Sequence, residues 1–578
     1  MTPLNGAVEI TGFRKEASTF FDISIFEGRE KFLCAAYRFY AVCAIITVRR
    51  YTMGIYLNPG NAMMKKLVSS KIYVDKSLLL RELNALVNTG DCFLCVSRPR
   101  RFGKTMAGAM ISAYYSKGCD SAELFAPLKI SGDKSFSEHL NKYNVIQFDI
   151  NTFYKRTNGS LDMMNVITST IVAELIQEFP AANIAPNDTL ENAIIKAWGA
   201  TGETFVIIMD EYDVLVREKV SKPLFDKYLD FLSSLFKNST LKPAIALAYL
   251  TGILPIVRDK IQSKMNEFDE YSMLTAKQLA EFVGFTEDET KALCTEYGMD
   301  FAECQRWYNG YVLANGVRVY SPKSVVSAMQ NHKYSSYWTK TASYESLKLF
   351  ILMDFEGIKS DVITMIGGGR VRVNVFKYLN TFTDFYSKDD VFTYLIHLGY
   401  LSYDRSAQEC FIPNKEIRSE WINSIEDEAD YKEIMEMVNG SRELLERTLQ
   451  GDEEYVAAEL DKAHTRATNP LTYNNEASFQ SAIGLAYFYA NAKYTVIKEL
   501  PTGRGYADVA FVPYVPNIPA VIVELKNAKS AGSAIAQIKE RKYDELLQHY
   551  RGDLLFVGIN YSPDTKKHEC KIEKVLMA

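Results

Sequence analysis

The sequence predicts an α/β protein in parts: a parallel, doubly wound sheet in the first half, a mostly helical middle, and a smaller mixed α/β unit at the C-terminus. Three observations carry this. The first half alternates short, wholly apolar runs with stretches of helical periodicity, the pattern of strands covered on both faces and joined by crossover helices. From about 275 to 460 the spacing turns mostly helical. After a polar stretch at 465–475 the chain reads as a helix, three short strands and further helix. At 578 residues the chain is several ordinary domains long. The expected boundaries are 1–52 as an extension of uncertain membership, 53–275, 276–465 and 466–578. No internal repeat or low-complexity linker interrupts them.

In order along the chain, residues 72–74 are expected to form a short strand, and Ser77 to cap a helix with Leu79, Leu83 and Leu86 on one face. The apolar run 92–96 is a strand that enters Ser97-Arg98-Pro99-Arg100-Arg101-Phe102-Gly103-Lys104-Thr105, and a helix follows with Met106, Met110, Ala113 and Tyr114 facing the core. Strands are expected over 143–150, 205–209 and 244–250, with a helix at 224–236. Residues 389–401 read as a helix and the stretch to Pro413 as a hairpin, which suits a winged-helix unit or a plain helical lid. Near the C-terminus 506–512 alternates as a strand does, and 520–526 is an almost wholly apolar strand.

Composition narrows the class. With 47% hydrophobic and 24% charged residues the chain suits a soluble globular protein. Its net charge of −5 confines any nucleic-acid contact to a local patch, because charges are screened over about 10 Å. Nine cysteines lack a framework, and Cys92 and Cys95 lie in an apolar run with no second pair, so they read as core in a reducing, cytoplasmic setting. The apolar stretch 32–48 is marginal for a membrane span and contains Arg38. We expect residues 1–52 to be an upstream extension or a start-site error, and no membrane association. The six histidines are isolated in sequence and read as structural or surface groups.

Two clusters carry chemistry. Gly103-Lys104-Thr105, between a strand and a helix, supplies backbone N–H groups, a cation and a hydroxyl suited to a triphosphate and Mg²⁺. The first glycine of the usual loop would stand at 98, where there is Arg98. With Arg100 and Arg101 it gives the loop unusual charge, available for phosphates or a partner. A buried strand delivers Asp210, suited to Mg²⁺ through water, and then Glu211, which can orient an attacking water. Thr251 ends the next buried strand where a polar γ-phosphate sensor would sit. Together these predict a P-loop nucleotide site using Arg101, Phe102, Gly103, Lys104, Thr105, Asp210 and Thr251; the blander alternative is an acidic pair that merely ends a strand. Arg258 is a weaker candidate to stabilise transition-state charge.

The second cluster is Asp508 with Glu524 and Lys526. Residues two apart in a strand share a face, and a turn between the two strands lets the carboxylates meet on Mg²⁺. A Glu–Lys pair at the end of a buried strand is costly unless paired or exposed at a site; a simple ion pair is the alternative.

The stretches IYVDKS, SRPRRFGKTM, AYYSKGCDS, FVIIMDEYD, LTGILPI and RWYNGY resemble the AAA-ATPase-like family that carries a C-terminal PD-(D/E)XK nuclease-like domain, from about Met53 to the C-terminus. The resemblance implies a P-loop domain followed by a restriction-endonuclease-like domain. It implies that arginine in place of the first loop glycine is a family habit. It maps nuclease roles onto Glu476, Asp508, Glu524, Lys526 and Gln537: Glu476 assisting the metal and Gln537 supporting the site from the following helix. The expectation is therefore an ATPase joined to a metal-dependent phosphodiesterase that uses ATP and Mg²⁺ and acts on DNA or RNA. The alternative is a nucleotide-dependent signalling switch whose C-terminal domain binds without cutting. Ser–His–Asp chemistry has no support in the spacing, and the Trp307–Tyr311 cluster reads as core or hinge.

Overall fold

The computed structural model describes residues 54–256, 265–275, 277–313, 316–338, 357–376, 385, 387–425, 432–467, 483–484, 486–492, 494–502, 505–513, 518–540 and 553–575, all within the unit Met53–Ala578. Its N-terminal sheet is built from β1 (Phe93–Ser97), β2 (Asn144–Asp149), β3 (Phe205–Asp210), β4 (Ile245–Gly252) and β5 (Asp269–Tyr271). Every residue of β1, β3 and β4 is buried, as expected of apolar strands covered on both faces. The order is β2-β3-β4-β1-β5 and all pairings are parallel. Parallel pairing puts the C-terminal ends of all these strands on one sheet edge, and β4 lies between β1 and β3 in space although it follows both in sequence. Helices α1 (Leu79–Asn84), α2 (Lys104–Tyr115), α3 (Met163–Glu178), α4 (Leu190–Thr201) and α5 (Lys222–Phe236) are among those that accompany this sheet.

Three local expectations are corrected. Residues 72–74 form no strand. Ser77 does not cap α1; its hydroxyl accepts the Ile130 amide, so a tertiary donor wins over the local one. Met106 is 45% exposed, because a helix starting at Lys104 turns its third residue outward while Met110, Ala113 and Tyr114 pack inward.

The middle contains α6 (Glu287–Glu296), α7 (Phe301–Tyr308), α8 (Pro322–Asn331), α9 (Lys388–Leu398), α10 (Lys415–Ile425) and α11 (Lys432–Gln450). Small antiparallel sheets link them, β6 (Phe285–Thr286), β7 (Tyr311–Val312) and β8 (Arg318–Tyr320), then β9 (Val371–Arg372), β10 (Ser402–Asp404) and β11 (Glu409–Phe411). The expected helix and hairpin are α9 and β10–β11. A capping box from Ser387 and Asp390 starts α9, and left-handed Gly399 ends it.

The last part is a five-stranded sheet in sequence order: β12 (Tyr494–Thr502), β13 (Gly505–Pro513), β14 (Ala520–Asn527), β15 (Leu554–Ser562) and β16 (Lys567–Val575). All pairs are antiparallel except β14 with β15, which are parallel and therefore need a crossover. Helix α12 (Glu453–Ala467) packs on β16, and helix α13 (Ala531–Glu540), which follows β14, packs on the sheet. His464 and His568, far apart in sequence, meet between α12 and β16 at 3.2 Å, and Asp461 accepts from His568 at 2.7 Å. They hold elements together, so tertiary contact pairs histidines that look isolated. No helix among the described residues is long and apolar enough to cross a membrane.

Candidate nucleotide and metal sites

The first site lies where β1 meets α2, on the edge that also ends β3 and β4. Arg101 (φ +70°) and Gly103 (φ +94°) take left-handed backbone, turning the chain tightly into the N-terminus of α2. Nothing stands where a Gly103 side chain would go, so the backbone angle is the requirement at that position. Lys104 Nζ donates to the Arg98 and Pro99 carbonyls at 2.9 Å each, folding the cation back along its own loop. The Thr105 hydroxyl donates to Asp210 Oδ2 at 2.7 Å, so the structure brings this predicted pair together. Thr251 Oγ1, aligned beside Val96 of β1, is buried without a hydrogen-bond partner among the described residues.

The electrostatics follow from burial. Lys104 is 8% exposed; burial pushes its amine down to about 8, with the Asp213 and Asp210 carboxylates opposing. Burial raises Asp210 above the usual carboxylate value, against the Thr105 hydroxyl and Lys104. A triphosphate with a divalent cation would supply the charges that both groups lack. The hydroxyl–carboxylate pair Thr105–Asp210 fits such a cation through bound water, and Lys104 and the loop amides fit the phosphates.

Not every loop residue faces ligand. The Arg98 guanidinium is fully buried under the loop, donating to the Ser97 and Tyr271 carbonyls at 2.9 Å, and burial pushes it down to about 10. It is a brace between β1 and β5 rather than a phosphate ligand, since an arginine at the strand end has the reach to cap the shorter β5. The Phe102 ring is buried edge-on against Tyr311 at 5.4 Å, leaving only its main chain to the loop. Arg101 donates to the Tyr337 carbonyl at 3.0 Å. Pro99 abuts Gly399: a Cβ on that glycine would lie 2.8 Å from Pro99 Cβ. The middle region therefore grips the loop through Tyr311, which lies in the aromatic cluster read as core or hinge, and through Tyr337 and Gly399, which sequence reasoning did not select. No periodic or motif signal marks the last two, because they act through a main-chain carbonyl and through shape. Arg258 lies outside the described residues.

The second site lies on β13 and β14. Val509 pairs with Val523, and that register carried one step further would set Asp508 opposite Glu524 with both side chains on one face. Glu524 is 2% exposed; its Oε1 accepts from Lys526 Nζ at 2.8 Å and from Gln537 Nε2 of α13. Asp508 Oδ2 accepts the Leu525 amide at 2.7 Å. Thus Asp508, Glu524, Lys526 and Gln537 are gathered, although 29 positions separate the first from the last (537 − 508). Glu476 lies outside the described residues. Among the described residues no group of three or more His, Cys, Asp or Glu side chains forms a metal cluster. The donor set at hand is two facing carboxylates beside a lysine, which suits a hard divalent cation with several waters.

Two family models match the chain: one described as a predicted AAA-ATPase over residues 64–262, and one as the PD-(D/E)XK nuclease superfamily over residues 474–571. The two matched segments are thus those of an AAA-ATPase-like domain and a C-terminal PD-(D/E)XK nuclease superfamily domain. The first match contains the loop, Asp210 and Thr251, and the second contains Asp508, Glu524, Lys526 and Gln537. A curated relative, described as an uncharacterized protein in the vnfD 5′ region of Azotobacter chroococcum mcd 1, is 25% identical over 283 residues, which is 47% of this chain and 51% of that protein. The chain thus spans about half the length of that relative. Among solved structures, Cdc6p from Pyrobaculum aerophilum is 11% identical with a TM-score of 0.24, over 64% of this chain and 99% of that one. The Aeropyrum pernix ORC2 protein is 11% identical with a TM-score of 0.27, over 66% and 98%. Likeness at that level leaves the fold to be read from the sheet order itself.

Proposed function

We propose that this protein is an ATP-regulated, Mg²⁺-dependent nuclease. The observation that carries the reading is Glu524 held by both Lys526 and Gln537, with Asp508 on the neighbouring strand bonded to the Leu525 amide, inside the segment matched to the nuclease superfamily. Asp508 and Glu524 would hold a divalent cation, which supplies Lewis acidity toward a phosphodiester when bound. Lys526 neutralises the buried Glu524 and is placed to position a water or to offset charge on the scissile phosphate. Gln537 fixes the glutamate rotamer from α13.

At the other site Lys104 and the loop amides would bind the triphosphate, Thr105 and Asp210 the Mg²⁺, and Glu211 would orient the attacking water. Communication is supported by three contacts. The middle region grips the loop through Tyr337 and Gly399, and from α7 Arg306 donates to Thr495 of β12 at 3.0 Å. A chain of packed elements therefore runs from the nucleotide loop to the C-terminal sheet.

The test is cleavage of plasmid, single-stranded DNA and RNA by the full chain, with and without Mg²⁺ and ATP. Glu524→Gln and Asp508→Asn should abolish cutting, and Lys104→Ala should remove only the ATP dependence. Nucleotide-dependent behaviour with no cleavage of any substrate would leave a binding switch.

A further inference from the structure

We propose that Arg217 restrains Glu211 in the nucleotide-free protein, and that its release sets the rate of ATP hydrolysis; this rests on the ATP-hydrolysing part of the reading above. Glu211 is the first residue beyond β3 and sits in left-handed backbone (φ +49°). Its Oε2 lies 2.9 Å from Arg217 Nη2, on the short helix Val214–Arg217. A carboxylate held by a guanidinium is not free to orient a water.

The same arginine reaches further. Its Nε lies 3.1 Å from Asp213 Oδ2, and that oxygen also accepts the Ile253 and Leu254 amides at 3.1 and 2.9 Å. Those amides belong to the turn that follows Thr251 and Gly252. The approach is close: a Cβ on Gly252 would lie 2.5 Å from Asp213 Oδ1. From the middle region, Tyr394 of α9 completes the surroundings; burial and then the Asp213 charge push its phenol up to about 12, with Arg217 and Arg100 opposing. The guanidinium therefore holds Glu211 beyond β3 and, through Asp213, is tied to the turn after β4. Lys104 lies within electrostatic range of Asp213, Asp210, Arg217 and Glu211 alike. The water that comes with a triphosphate bound at Lys104 competes with Arg217 for the Glu211 carboxylate, and the carboxylate, once released from Arg217, turns to that water. In hydrolysis the water oxygen bonds the γ-phosphorus, the β–γ bridging oxygen leaves with ADP, and the water proton ends on inorganic phosphate or solvent. Glu211 only orients. Arg217 is thus a positioning residue.

The experiment measures kcat and KM for Mg-ATP, and the Kd of a non-hydrolysable ATP analogue, in the full chain. Arg217→Lys keeps a cation for buried Asp213 but cannot bridge both carboxylates. The pair Arg217→Gln with Asp213→Asn removes both charges and keeps an acceptor for the two amides. Both should raise kcat by roughly three- to tenfold with KM and analogue Kd unchanged, and Glu211→Gln should cancel the gain. Unchanged or lower kcat in either folded variant that still binds the analogue overturns the restraint. A loss of about 100-fold or more would instead make Arg217 a direct phosphate ligand, and also overturns it. Failure of the unmodified protein to bind the analogue at all is a different result and removes the nucleotide reading itself.

Discussion

Lys104 should make nucleotide binding consume a proton. In the free protein burial pushes its amine down to about 8, with Asp213 and Asp210 only partly offsetting the cost. Phosphate oxygens around the amine restore the charge, so binding favours the protonated lysine. Apparent affinity then falls by the factor 1 + 10^(pH − 8), about 1.1 at pH 7 and about 11 at pH 9, or ~1.4 kcal/mol. Proton uptake rises in step, from about 0.1 at pH 7 to about 0.5 at pH 8 and about 0.9 at pH 9. The terminal phosphate of ATP loses its last proton on the acid side of this window and does not mimic the effect. Calorimetry with a non-hydrolysable analogue, in two buffers of different ionisation enthalpy, counts the protons directly. Lys104→Arg keeps a fixed charge and should abolish uptake whatever its affinity. Flat affinity and no uptake between pH 7 and 9 would refute the argument, because the amine would then be charged before the ligand arrives.

Three further outcomes follow from the same geometry. Glu416 is buried, which pushes its carboxyl up to about 7 against the Tyr337 and Trp338 amides and the Ser324 hydroxyl. The folded value lies above the unfolded one, so its stabilising contribution is present below about pH 4.5 and is lost as pH rises through about 7, at most about 3 kcal/mol; Glu416→Gln should flatten that slope in urea melts taken from pH 5 to 7. Gly399→Ala forces a side chain into left-handed backbone and against Pro99, and should cost about 2 kcal/mol and weaken analogue binding; a variant as stable as the parent would contradict the clamp. Lys526→Met strands the buried Glu524 carboxylate and should destabilise the C-terminal domain by about 3 kcal/mol, recovered when Glu524→Gln is added, as read by hydrogen exchange of the β14 amides.

Much of this was legible in the chain because it is local or periodic. All-apolar runs announce β1, β3 and β4, since a strand covered on both faces has no polar side to show. A glycine before a lysine and a threonine marks the loop, and acidic residues at the end of or within apolar strands mark both sites. The spacing of Glu524 and Lys526 places them on one face through strand geometry alone. The β13–β14 register and the reach of Gln537 across from α13 are pairings between segments, and spacing only permits them.

Other features belong to the tertiary structure. Arg98 was open to a phosphate role until its guanidinium was found under the loop, because burial depends on what packs above it. Arg217 carries no motif and matters through its two carboxylate partners, Glu211 and Asp213. The grip of Gly399 and Tyr337 on the loop runs through a missing side chain and a carbonyl oxygen, which every sequence possesses. Sequence by itself determined which chemical groups this protein can bring to bear, and on which ends of which strands, because backbone periodicity and residue type set those locally. Only the tertiary structure decided which groups restrain one another, because that depends on distances between segments that chain order does not encode.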